Sequence, residues 1–471
     1  MTALHHLSAV QQRAALRAGE ISATELTAHY AARIERINPE VNAFVTVTAD
    51  QAQDAATRLE ASGPGKAPAV LWGMPLADKD LQSRAGVPTG FGSRLMAGFV
   101  PDTSDELVRT LDAAGAISLG KTATPEFGLS SHTETATHPA TRNPWDTSCG
   151  PGGSSGGAAV AVAAGMLPFA PGSDGGGSVR IPAAACGLVG LKPSRGLVPG
   201  GSGLDSLAGL SVAGPLARTV ADAALLLEGM IGSAPFPFTV RSPRPEPGAL
   251  LTAAASSPGT LSVAVLTQSP WDDAYDIQIA PEARAALDVA IRALDAAGHH
   301  VAPLSLEPAP DYPTHFRTIW QAGAASIPAE GDQLGLVEPL TAWLIDRGRS
   351  LSARTLAEAL AGLAAFERSI LRQFAVADIV LTPALALTPR PIGWYDAHDG
   401  ERNFAQQVQY TPFTSFVNVC GLPAIALPVW HDEAPMGVQL IGRPGAEATL
   451  LGVGAQLEQV FRWQDRHPPQ W

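Results

Sequence analysis

The chain predicts an α/β protein built in layers, and three observations carry that reading. Short strand-like apolar segments alternate with helix-like amphipathic ones along most of the 471 residues. One stretch, Gly156-Gly-Ala-Ala-Val-Ala-Val-Ala-Ala-Gly165, is apolar on every side, as a helix enclosed between layers must be. Hydrophobic residues make up 46% of the chain, enough for a large core.

The elements follow in order. Ser22-Ala-Thr-Glu25 reads as a capping box opening a helix that runs to about Asn38. Trp72 to Asp80 contains a short strand. A helix from Ser104 to about Ala114 is closed by Gly115, and Ala116-Ile-Ser-Leu119 follows as a strand. After the all-apolar helix, Pro168-Phe-Ala leads into a loop at Gly172. Residues 233–259 are dense in Pro, Ser and Gly and read as a long surface connection. Beyond it come a strand at Leu261–Leu266, a helix at Pro281–Ala297 before Gly298, and helical text over 352–377. Strands at Ile379–Leu381, Ala424–Leu427 and Gly437–Ile441 precede a last helix from about Ala446 to Phe461. No internal repeat interrupts the alternation.

Composition excludes several classes. A formal charge of −13 argues against a nucleic-acid surface, which needs a basic patch. No run of about 20 apolar residues suggests a membrane span. The start, Met-Thr-Ala-Leu-His-His, lacks a basic region followed by an apolar stretch, so no secretory signal is expected. Cys149, Cys186 and Cys420 are too few and too scattered for a disulfide framework and read as small buried fillers. A reduced, cytoplasmic setting is the expectation. The histidines show no metal-ligand spacing, and no cofactor is implied.

The chemistry concentrates in two glycine-rich serine blocks, Gly153-Ser154-Ser155-Gly156-Gly157 and Gly175-Gly176-Gly177-Ser178-Val179-Arg180. Three glycines before a serine let successive N–H groups converge on one point, which suits a developing oxyanion. Ser178 at the end of that bend is a candidate nucleophile, and Ser154 could relay its proton. Only four of the 31 basic residues are lysines: Lys66, Lys79, Lys121 and Lys192. Arginine cannot give up its proton in a protein, whereas a desolvated lysine can, so the retained lysines merit inspection, Lys66 reading as a solvated loop residue in its Gly/Pro stretch.

Leu71-Trp-Gly-Met-Pro-Leu-Ala-Asp-Lys79-Asp80, Cys149-Gly-Pro-Gly-Gly-Ser154-Ser155-Gly-Gly and Gly172-Ser-Asp174-Gly-Gly-Gly-Ser178-Val-Arg180-Ile-Pro182 resemble the amidase signature family. So do Cys186-Gly-Leu-Val-Gly-Leu-Lys192-Pro193 and Asn418-Val-Cys-Gly421-Leu-Pro423-Ala-Ile-Ala-Leu-Pro428. The resemblance runs from about residue 8 to about 462, and the 24 residues between Ser154 and Ser178 match the family's spacing. It implies a large mixed central sheet sandwiched by helices in a single domain over 1–471. It also implies a triad of Ser178 as nucleophile, Ser154 as bridging serine on a cis peptide, and Lys79 as base. The N–H groups of Gly175, Gly176, Gly177 and Ser178 would form the oxyanion hole. Ser155 would hold Lys79, and Asp174 and Arg180 would brace the loop.

A lysine serves as base only if it is neutral near working pH, which requires burial away from carboxylates. Lys79 is flanked by Asp78 and Asp80, where the family usually has an apolar residue before the lysine. In a strand successive side chains point to opposite faces, so both carboxylates should share the face away from the amine. Gly175 is a second departure, since the family usually carries a larger residue there; it loosens the loop or enlarges the space beside it.

Two other motifs compete. Gly115-Ala-Ile-Ser-Leu-Gly120-Lys121-Thr122 matches the phosphate-loop pattern, but a helix precedes it and its middle is strand-like. The Gly-Ser-Ser-Gly block matches a nucleophile elbow, but Asn143 to Pro151 before it cannot be a central strand. Taken singly, either block could be a tight turn in a non-catalytic binding protein; with Lys79 they favour catalysis.

The expected function is hydrolysis of the C–N bond of small or oligomeric amides through an acyl-enzyme on Ser178, with ester cleavage as a side activity. The 178–196 stretch looks most like the cyclic nylon-dimer hydrolases. Carbamate (urethane) hydrolysis is the alternative, and the glutaminase component of a tRNA-dependent amidotransferase is a more distant one. Expected partners are a small amide, carbamate or ester, with the chain a monomer or homodimer. Candidate pocket walls are Leu129 and Ser130 beside Phe127 and Gly128, and the apolar region 310–350, above all Phe316, Trp320 and Ile327.

Overall fold

Eleven strands, arranged in two sheets, are present among the residues that the computed structural model describes: 3–63, 69–199, 207–232, 243–431 and 434–471. They are β1 (Phe44–Val47), β2 (Pro75–Lys79), β3 (Ile117–Thr122), β4 (Phe169–Asp174), β5 (Val189–Lys192), β6 (Val212–Ala217), β7 (Ser262–Val265), β8 (His300–Pro303), β9 (Ile379–Pro383), β10 (Ala424–His431) and β11 (Ala434–Gly442). A small sheet has the order β1-β3-β2, and a large one β4-β6-β5-β10-β11-β9-β7-β8. The large sheet is mixed. From β4 across to β9 each neighbouring pair is antiparallel, whereas β7 is parallel to both β9 and β8. Helices cover it. One hydrophobic cluster takes side chains from both sheets, including Leu76 and Leu119 from the small one and Leu191 and Ile425 from the large one.

Where local chemistry is explicit, elements form as expected. The Ser22 hydroxyl accepts from the Glu25 N–H and the Glu25 carboxylate accepts from the Ser22 N–H, opening the helix Ala23–Val41. The all-apolar stretch is the helix Gly156–Ala163, buried at every position. Helices at Pro281–Ala296, Ala353–Phe374 and Glu447–Phe461 follow the expected bounds.

Three expectations change. The segment that reads as a loop at Gly172 is strand β4; it tolerates Pro171 because it lies at the edge of its sheet. The strand after Gly115 runs on to Thr122 and absorbs the phosphate-loop match. There Gly120 has φ +140, and a Cβ on it would come within 2.1 Å of the Thr46 carbonyl oxygen, so glycine permits the close strand crossing. Lys121 is buried, donates to the Gln82 carbonyl and the Thr89 hydroxyl, and lies 3.9 Å from Asp80. Of the 233–259 connection, residues 233–242 fall outside the described residues, and Ala249–Ala253 is a short helix rather than loop. The variable region 310–350 is largely two helices, Tyr312–Ala324 and Pro339–Arg349. Among the described residues, no helix is long and apolar enough to cross a membrane.

The two sheets meet where β2 packs on β4. Lys79 ends β2 and Asp174 ends β4, so two elements distant in sequence deliver a lysine and a braced loop to one place.

Candidate active site

Lys79 is 1% exposed. Its Nζ lies 2.8 Å from Ser154 Oγ, 3.0 Å from Ser155 Oγ and 2.9 Å from Ser173 Oγ. Strand alternation takes the neighbouring carboxylates elsewhere. Asp78 pairs with Arg84 at 2.6 Å and accepts from the Ser118 hydroxyl at 2.8 Å. Asp80 accepts from the Gly90 N–H and faces Lys121. Burial therefore pulls the Lys79 pKa down to about 7, against the opposing charge of Asp174. The helix Gly156–Ala163 starts beside Ser155, and the positive end of its dipole disfavours an ammonium in the same direction.

Backbone contacts hold the serine blocks together. The Gly153–Ser154 peptide is cis. A Cβ on Gly153 would lie 2.3 Å from the His132 carbonyl oxygen, so only glycine fits that approach. The Ser155 N–H donates to the Ser178 carbonyl at 3.2 Å, tying the first block to the second. The Ser155 hydroxyl donates to the Ser173 carbonyl and accepts the Ser173 N–H, both at 3.2 Å. Ser173 is the member of this group that sequence reasoning misses. It lies inside a recognised motif, but hydroxyls on an expected loop give no direction, and only the strand geometry of β4 aims it at Lys79.

Asp174 and Arg180 form the brace. They pair through two hydrogen bonds, at 2.8 and 3.0 Å, with neither side chain accessible to solvent. Burial alone would raise the Asp174 carboxyl, but Arg180 overrides it and holds the pKa down to about 2. Arg180 also donates to Asn418, Gln439 and the Thr414 carbonyl. Asn418 donates back to Asp174, which explains why the distant Asn418 motif belongs to this site. Asp174 further accepts the Gly177 N–H at 2.8 Å. That corrects one expectation: the Gly177 amide is occupied by its own loop and does not point into the site. The N–H groups of Gly175, Gly176 and Ser178 remain as the candidate oxyanion donors.

Ser178 opens onto a narrow cavity of about 60 Å³. Leu129, Ser130, Phe316 and Trp320 line it, as expected. Ile327 does not; it packs behind Trp320 with Val337, Leu340 and Leu344 in a separate apolar cluster. Phe127 also sits against that cluster. Further walls come from Ser131, Ile181, Trp271, Thr411 and Ser415 and from the helix Gly400–Tyr410, which contributes Phe404, Gln407 and Val408. No local signal marks these, because they reach the cavity through packing between distant segments. Over Gly175, a Cβ would meet the Trp320 ring at 3.4 Å, so the indole occupies much of the space the missing side chain leaves.

Comparison with known proteins shows the family. The family model described as Amidase matches residues 25–451. The chain is 38% identical to AmiB2 of Mycobacterium bovis, over 99% of both chains. It is 35% identical to a component of the glutamyl-tRNA(Gln) amidotransferase of Chloroflexus aggregans, again over 99% of each. Among solved structures it resembles 6-aminohexanoate cyclic dimer hydrolase complexed with substrate, with a TM-score of 0.89, 32% identity and 99% of each chain covered.

Proposed function

Since the chain belongs to the amidase family and is a hydrolase of C–N bonds, we propose that it cleaves small amides through an acyl-enzyme on Ser178, with Lys79 as base and Ser154 as proton relay. The observation that carries this is the buried Lys79 amine, 2.8 Å from Ser154 Oγ and away from Asp78 and Asp80.

The hydrogen bonds favour a direction for the proton. The single proton of the Ser155 hydroxyl goes to the Ser173 carbonyl, so toward Lys79 that hydroxyl can only accept. A neutral amine has two N–H donors and one lone pair. With the donors directed at Ser155 and Ser173, the lone pair faces Ser154. Ser154 passes its proton to Lys79 and takes one from Ser178 as Ser178 Oγ attacks the carbonyl carbon. The oxyanion is received by the free N–H groups of Gly175, Gly176 and Ser178. The proton returns through Ser154 to the departing nitrogen, the C–N bond breaks, and an amine leaves. Water then attacks the acyl-Ser178 ester by the same relay, releasing a carboxylic acid and restoring the hydroxyl. Gly153–Ser155, Asp174 and Arg180 act by holding this geometry.

The test is direct. A 4-nitrophenyl ester should give a burst of nitrophenol and a covalent acyl adduct on Ser178 detectable by mass spectrometry. Ser178→Ala should abolish the adduct and all amide turnover. Amide hydrolysis surviving in Ser178→Ala would sink the assignment.

A further inference from the structure

The cavity at Ser178 carries no charge. None of its fifteen lining residues is Asp, Glu, Lys, Arg or His. Four aromatic rings dominate it. Phe316 stacks on Trp320 at 5.6 Å and 16°, and Trp271 meets Phe316 and Phe404 edge-on at 5.5 and 6.1 Å. Leu129, Ile181 and Val408 complete the apolar surface.

Apart from Ser178 and Ser131, the polar side chains among the walls are already committed to protein partners. The Trp320 indole N–H donates to the Leu129 carbonyl, and that of Trp271 donates to Ser415 Oγ. Ser415 also bonds the Tyr312 hydroxyl at 2.8 Å. Gln407 accepts the Ser131 N–H and donates to Asn403. Thr411 donates to the Gln407 carbonyl and Ser130 donates to the His132 carbonyl, whereas the buried Ser131 hydroxyl has no hydrogen-bond partner. Beyond Phe404, Arg317 lies 5.8 Å from the ring, but it is paired with Glu401. What the cavity offers a ligand is an aromatic surface, the Ser178 hydroxyl, the neutral Ser131 hydroxyl and the loop N–H groups.

We propose that this site takes amides whose cavity-bound part is uncharged and flat or compactly apolar, such as aryl or cyclic amides, and rejects a free carboxylate or ammonium there. The inference rests on the amide-hydrolase reading above. Two physical terms act together. A charge entering these walls loses its hydration and finds no counter-ion. A substrate carboxylate there would also stabilise the Lys79 ammonium and lower the supply of neutral base. Free glutamine, which carries both charges, fits this lining poorly.

The test is a matched series on the wild-type protein. The 4-nitroanilides of hexanoic acid, 6-aminohexanoic acid and adipic acid have acyl chains of similar length and differ in the charge at the far end. A second series moves the charge to the leaving group: the hexanoyl amides of aniline, 4-aminobenzoate and 4-(aminomethyl)aniline. At the end that enters the cavity, kcat/KM should fall at least a hundredfold for either charge, about 2.7 kcal/mol at 1.36 kcal/mol per tenfold. Val408→Lys places a cation in the wall and should narrow the gap between the adipic and hexanoic anilides. Less than a tenfold loss for charges at both ends would overturn the inference while leaving the hydrolase intact. No turnover of any neutral amide would instead refute the proposed function.

Discussion

Placing a carboxylate against Lys79 tests whether a neutral lysine drives this chemistry. Ser173→Asp does so, because Ser173 Oγ lies 2.9 Å from Nζ and the site excludes other carboxylates from contact. An ordinary lysine with a pKa near 10.4 is neutral in roughly one molecule in 2,500 at pH 7. At about 7, the value burial imposes on Lys79, about half the molecules carry the free base. Burial is therefore worth roughly a thousandfold in available base at neutral pH. The wild-type rate should rise through pH 7 and level off above pH 8. A carboxylate within contact distance raises a cation's pKa by about 1–3 units. The acid limb of Ser173→Asp should move to between about pH 8 and 10, with activity at pH 7 reduced about 5- to 500-fold and recovering in alkali. The assay is kcat/KM for anilide cleavage from pH 5.5 to 10.5. An activity loss of the same factor at every pH would mean that Ser173 matters only for shape. A wild-type profile flat from pH 5.5 to 9 would refute the titrating base itself.

Other expectations follow from the same contacts. Lys79→Arg keeps a charge that cannot be removed and should lower kcat by about 10²–10⁴ at all pH values, measured by anilide turnover. Asp174→Asn leaves Arg180 buried without its counter-charge and should destabilise the protein by about 3–5 kcal/mol in urea unfolding. Gly177→Ala and Gly175→Ala should separate sharply in kcat. Gly177 has φ +130 and its Cβ would lie 2.4 Å from Thr414 Oγ1, whereas at Gly175 a Cβ meets Trp320 at an ordinary 3.4 Å, so only the first should lose more than about tenfold. At the chain's ends, burial and then Arg33 hold the His5 pKa down to about 3. The stability this neutral histidine allows is complete above about pH 6.5 and drains away as pH falls toward 3. The Tm should therefore drop between pH 7 and 5, and drop less in His5→Asn; an identical decline in both proteins would dismiss His5 as the cause.

Much of the reactive set is legible in the sequence because its signals are local. Gly177 answers a local demand through its φ of +130, and strand periodicity alone separates Lys79 from Asp78 and Asp80. Caps such as Ser22 with Glu25 mark helix starts within four residues. The places where sequence misleads share one trait: their state depends on partners far along the chain. β4 reads as a loop because Gly172 and Pro171 resemble turn residues, and only its place at a sheet edge, paired with β6, permits them. The Gly177 amide reads as free because nothing local shows Asp174 folding back onto it. Ile327 reads as a pocket wall because its helix-flanking apolar pattern carries no record of which cluster it joins.

From the sequence alone come the candidate serines, the glycine bends that carry them and the alternation of layers, since these follow from residue chemistry and short-range periodicity, while the family resemblance singles out Lys79. The tertiary structure decides whether Lys79 can be neutral, which hydroxyl completes its coordination and what lines the cavity. Those are matters of burial and through-space distance, as in the 94 positions separating Lys79 from Ser173 or the 238 separating Arg180 from Asn418. No local pattern encodes them, because desolvation and pairing arise only once the distant segments have packed.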